Sequence, residues 1–126
     1  MSYIPAASKS SASALDTDLN NLSDWQRRHL PGIHSSPGKE GLAWLIANWG
    51  QPKSFKDLLA STQASEMAAK NFLNQFFALG LVEMNKDPAN KHRREILATM
   101  ELGKRLEQYA GLITRVVASH EGRRIG

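Results

Sequence analysis

The chain contains no cysteine. That excludes disulfides, zinc fingers, iron–sulfur clusters and thiol chemistry together. No apolar run approaches the roughly 20 residues that span a bilayer, so no membrane partner is expected. The N-terminus lacks an apolar stretch of the secretory type, and Lys9 is the only basic residue in 1–14, too few for a transit peptide. A cytoplasmic protein is the expectation. The sequence also lacks a glycine-rich phosphate loop and a nucleophile elbow. His29, His34, His92 and His120 are scattered, and none has the spacing of a metal pair on one helix. Carboxylates are present, but no motif pairs them. Neither an enzyme nor a metal or cofactor is expected.

What remains is a chain of 126 residues with 41% apolar content. That is room for one domain with a core of its own. The formal net charge of +4 favours an anionic partner, and the placement of the charges matters more than their sum.

Residues 1–15 are rich in Ser and Ala without periodicity, and are expected to form a disordered tail. A domain is expected over 16–120, followed by a frayed tail at 121–126. A short polar helix is expected over 16–30, with Leu15, Leu19, Leu22 and Trp25 or Gln26 at spacings of three to four, stopped by Pro31-Gly32. A second helix is expected at 37–49, with Ser36 as its N-cap, Pro37 at its first position and one apolar stripe of Leu42, Leu45, Ile46 and Trp49. Trp44 falls on the opposite face, so this helix is expected to be covered on two sides.

Ser54 with Asp57 three residues on marks a capping box for a short helix whose buried face is Phe55, Leu58 and Leu59. After the turn at 61–64, Ser65 caps a longer helix that ends near Leu79, with Gly80 as its left-handed C-cap. Strands follow at 81–84 and 94–99, joined by a long loop over 85–93. A final helix is expected from about Met100 to Ser119. Its seam of Leu102, Leu106, Tyr109, Ile113 and Val116 resembles a coiled-coil repeat.

A short helix, a turn, a second helix and a basic hairpin describe a winged helix-turn-helix, mainly α with a small β-hairpin wing. In such a fold the second helix enters the major groove. A helical wheel of 65–79 puts Ala69, Phe72, Leu73, Phe76, Phe77 and Leu79 on one side. The other side carries Met67, Lys70, Asn71, Asn74 and Gln75 and no acidic residue. Asn and Gln pair with adenine edges, and Lys reaches guanine or phosphate. In the loop, Lys86, Lys91, His92, Arg93 and Arg94 fall within nine residues, suited to the phosphate backbone. Together with Ser65 these are the candidate DNA-binding residues: Ser65, Met67, Lys70, Asn71, Asn74, Lys86, Lys91, His92, Arg93 and Arg94. The plainer alternatives are a solvated helix face and a solvated basic turn.

The stretch from Ser54 to Leu106 resembles the MarR family of bacterial winged-helix regulators. The resemblance rests on Gly80-Leu81-Val82 after the recognition helix, Asp87-Pro88 and Arg93-Arg94 in the wing, and Met100-Glu101-Leu102-Gly103 opening the next helix. Asn90 stands where the family usually has a second wing Asp. The resemblance implies a homodimer held by its terminal helices and repressing a promoter. Many family members release DNA when a small aromatic acid binds, although no pocket for such an effector is legible in this sequence. The dimer would use Leu102, Leu106, Tyr109, Ile113 and Val116. A monomer whose last helix folds back on its own core is the alternative. A second functional class also stays open: a winged helix used for protein contact in a replication, partition or phage assembly.

Overall fold

The structure is a computed structural model. It describes residues 3–125, except for the side chains of 3–12, 91, 92 and 121–125. The elements run α1 (Tyr3–His29), α2 (Ser36–Ala47), β1 (Lys53–Ser54), α3 (Phe55–Ser61), α4 (Glu66–Ala78), β2 (Val82–Asp87), β3 (Asn90–Ala98) and α5 (Met100–Ile125). The fold is mainly helical, with one small sheet of strand order β1-β3-β2.

The first helix is longer than expected, because its backbone is helical from Tyr3 through the segment read as a disordered tail. Alanine is the best helix former, and Pro5 sits in the first turn, where its missing N–H breaks no intrahelical bond. Extending a helix is easier than nucleating one, so a segment with no apolar stripe can continue α1. At the other end, α5 likewise continues through Ile125, beyond the expected fraying point.

The N-cap of α2 is Ser35 and not Ser36; its hydroxyl accepts the Gly38 N–H at 3.2 Å. The buried face of α2 differs from the expected stripe. Gly38, Gly41, Trp44 and Leu45 are buried, whereas Ile46 and Trp49 stay 50% and 43% exposed. The reason is close approach. A Cβ at Gly41 would lie 2.5 Å from the Phe72 ring, so only glycine lets α2 lie this close to α4. A stripe drawn from apolar side chains gives glycine no weight.

Caps set the boundaries of α3 and α4. The Ser54 hydroxyl accepts the Asp57 N–H at 3.2 Å, and the Asp57 carboxylate accepts the Ser54 N–H at 2.9 Å. The Ser65 hydroxyl accepts the Ala68 N–H at 3.1 Å. At the end of α4, Gly80 (φ 73°) and Leu81 donate to the carbonyls of Phe77 and Phe76, at 3.0 and 2.9 Å. This reciprocal pair satisfies two of the last free carbonyls and turns the chain into β2.

Ala69, Phe72, Leu73 and Phe76 form the buried stripe of α4. They join Leu30, Trp44, Leu45, Leu58, Leu81, Val82, Ile96 and Leu102 in one core. Phe77 and Leu79, expected on that side, are instead 51% and 37% exposed. One residue is about 100° of helix rotation, enough to carry Phe77 off the stripe that Phe76 occupies.

The hairpin is built differently from the expected long loop. The strands extend to Asp87 and from Asn90, leaving Pro88-Ala89 as a tight turn, in which the Asp87 carboxylate accepts the Ala89 N–H at 2.8 Å. The surplus appears as a bulge. Lys86 pairs with Arg94 and Asp87 with Asn90, so residues 91–93 of β3 are extra. β1 pairs on the other edge of β3, Ser54 opposite Glu95.

α1 and α5 pack antiparallel. The Trp25 and Tyr109 rings stack with centroids 5.7 Å apart. Arg105 donates to the His29 carbonyl at 2.9 Å, and His120 lies 2.9 Å from Asp18.

Candidate nucleic-acid interface

The outer face of α4 is polar because the opposite face is committed to the core. Lys70, Asn71, Asn74 and Gln75 are all exposed, and Met67 is 74% exposed. Glu66 shares this surface, correcting the expectation of a face without acid: its carboxylate lies 3.3 Å from the Lys70 ammonium, one turn on. Both groups are open to water, so the pair is weak and Lys70 can leave it for a stronger anion. The Ser65 hydroxyl is occupied as the N-cap. Its place among the candidates is thus at the mouth of the helix, where the free N–H groups face outward.

On the wing, Lys86, Arg93 and Arg94 are exposed. Lys91 and His92, the other two candidates there, have side chains outside the described residues. Arg93 lies against two carboxylates, Asp57 of α3 at 3.4 Å and Asp87 of β2 at 3.9 Å. Asp57 is held below the ordinary carboxylate pKa, first by the backbone N–H and hydroxyl of Ser54, then by the charges of Arg93 and Lys53.

α4 and the wing front one surface. A hollow of about 150 Å³ is lined by Lys70 and Asn74 from α4 and Arg94 from β3, over a floor of Phe55, Met84 and Ile96. A neighbouring hollow of about 500 Å³ lies between α3 and the wing and is lined by Lys56, Asn90, Arg93 and Arg94. Lys56 is a cation that sequence reasoning passed over. Its signal was present, since it sits in the first turn of a capped helix, off the stripe of Phe55, Leu58 and Leu59. Only the fold brings it beside the wing.

The expected dimer seam divides in two. Leu102 is fully buried in the protein's own core, and Leu106 and Tyr109 pack against that core, partly buried. Farther along, Ile113 is 38% and Val117 52% exposed, and Val116 is half-buried. On α1, Leu15 and Leu19 are 38% and 46% exposed. The Asp18–His120 contact brings the stretch around Leu19 beside that around Val117. Among the described residues, no His, Asp or Glu cluster could hold a metal ion, and no helix is long and apolar enough to cross a membrane.

No family model and no curated protein sequence matches the chain. Solved structures do match. The S. aureus MepR–DNA complex superposes with a TM-score of 0.63 at 13% identity, covering 89% of each chain. The heme sensor protein PefR from Streptococcus agalactiae, in complex with heme, gives 0.59 at 14% identity over 95% of this chain and 80% of that one. The transcriptional regulator BldR from Sulfolobus solfataricus gives 0.53 at 15% identity over 95% and 85%. The fold is the MarR-type winged helix. In this MarR-type frame α3 and α4 are the helix-turn-helix, β2 and β3 the wing, and α1 and α5 the flanking helices.

Proposed function

We propose that the protein is a sequence-specific double-stranded DNA-binding transcription regulator, acting as a homodimeric repressor, and not an enzyme. One observation carries the proposal: Lys70 and Asn74 of α4 and Arg94 of the wing line the same hollow. A helix entering the major groove and a hairpin following the backbone must present their polar groups on one side, and here they do. Asn71 and Asn74 suit adenine edges, and Lys70 suits guanine or phosphate. Lys86, Arg94 and Lys56 suit phosphates, whose neutralisation releases counterions. The S. aureus MepR complex, in which a protein of the same fold is bound to DNA, supports DNA as the partner.

The dimer is proposed from the exposed apolar groups of α1 and α5. Covering Leu15, Leu19, Ile113 and Val117 with a second copy is the common solution for such a surface, and twofold symmetry the common form. Two α4 helices then meet successive major grooves, with half-site centres about 10–10.5 base pairs apart. Selection from a random DNA pool tests this reading. It should recover a two-fold-related pair of half-sites, and Asn71→Ala or Asn74→Ala should relax the preference at individual positions by about 1–3 kcal/mol. Recovery of no motif, or equal loss on selected and random DNA, would remove base reading by α4.

A further inference from the structure

We propose that Asp57 is a positioning residue that fastens the wing to the helix-turn-helix through Arg93, so that Arg93 holds the bulge and does not contact DNA. The bulge needs such a fastening. Residues 91–93 are surplus to the β2–β3 register, so they lack the regular ladder that fixes a paired strand. Arg93 closes that surplus. Its guanidinium reaches Asp57 Oδ2 at 3.4 Å and Asp87 Oδ2 at 3.9 Å, one carboxylate on the helix-turn-helix and the other at the hairpin turn.

Asp57 is itself rigidly placed. The same Oδ2 accepts the Ser54 N–H at 2.9 Å and the Ser54 hydroxyl at 3.0 Å. Ser54 is also the residue of β1 that pairs with Glu95 of β3. The capping box, the sheet edge and the wing therefore meet at one carboxylate. Nothing about a helix cap alone requires an arginine there, since the cap is complete with Ser54. Lys56 and Arg94, flanking the same hollow, are left to meet phosphates.

The DNA part of this inference rests on the proposed function, whereas the fastening itself does not. The two roles open to Arg93 predict opposite signs for Asp57→Asn. An asparagine oxygen can still accept the Ser54 N–H, so the cap persists while the charge is lost. If Arg93 contacts phosphate, removing a nearby negative charge frees it, and binding tightens. If Asp57 positions the wing, binding weakens although the protein has become more positive.

The test compares wild type, Asp57→Asn, Arg93→Gln and the double variant by hydrogen exchange of the free protein and by binding to random-sequence duplex across a salt series. Amides of residues 86–94 should exchange faster in each single variant and no faster in the double, with α4 protection unchanged. Affinity for every duplex should fall about two- to fivefold, the range of an exposed ion pair, and the salt slope should stay as in wild type. Unchanged wing exchange would overturn the fastening. Tighter binding by Asp57→Asn, or a slope reduced by about 0.9 in Arg93→Gln, would make Arg93 a phosphate contact and overturn the proposal. If wild type bound no duplex at all, the proposed function would fall, while the exchange data would still decide the fastening.

Discussion

The helix-turn-helix with its wing and the α1/α5 pair are held together in different ways. In the first, the helices have satisfied caps, the apolar stripe of α4 is buried and the outer face is polar. In the second, among the described residues a ring stack and two polar contacts join the helices, while Leu15, Leu19, Ile113 and Val117 stay 38%, 46%, 38% and 52% exposed. The first half is complete within one chain and turns its chemistry outward. The second leaves partly exposed apolar side chains at its surface, which is where the proposed second copy would sit.

The sharpest way to expose that contrast is on α4 itself. Phe76 is fully buried and Phe77 is 51% exposed. Phe76→Ala should destabilise the domain by about 3–5 kcal/mol, the range for a buried Phe. Phe77→Ala should cost far less. Thermal melts of the pair check this, and equal melting temperatures would break the distinction between the two faces.

Next in size is the effect on assembly. Ile113→Asp with Val117→Asp should leave the helix-turn-helix folded and convert dimers to monomers, because each buried aliphatic side chain is worth about 1.5–3 kcal/mol. Light scattering at micromolar concentration reads the outcome. A wild-type mass near 13.9 kDa would mean that the α1/α5 surface is complete in one copy after all.

A smaller effect concerns acid. The Asp57 pKa is lowered from its ordinary value of 3.8, so its contribution to stability is fully present above that value. It is lost as pH falls through the still lower folded value. The carboxylate is half exposed, which keeps the contribution small. Asp57→Asn should therefore narrow the stability difference between neutral pH and strongly acidic solution. Chemical denaturation at the two pH values checks this, and an unaltered difference would contradict the lowered pKa.

Much of the helix-turn-helix is legible in the sequence because its signals are local. Ser54 with Asp57, Ser65 and Gly80 each announce a boundary through chemistry within four residues, and each occupies the expected role. Several of the parts that the sequence misplaces or misses depend on contacts distant in the chain. β1 is two residues long and exists only because β3 pairs with it. The buried face of α2 is set by Gly41, whose meaning lies in the Phe72 ring, and by Gly38, which lies against the Gly32 backbone. The bulge follows from a register that no local pattern specifies. At the candidate interface, the sequence singles out the basic wing and the polar face of α4. It does not reveal that Arg93 faces two carboxylates, or that Lys56 joins Arg94 across a hollow.

DNA recognition by α4 and the wing is tested most directly by the salt dependence of binding to a random-sequence duplex, measured for wild type and for Lys56→Ala with Arg94→Ala. Wild-type affinity should fall linearly on a log–log plot between about 50 and 200 mM salt, and the double variant should bind more weakly with a slope shallower by about 0.9 for each phosphate contact removed. No binding by wild type at the lowest salt, or a double variant with the wild-type slope, would contradict it.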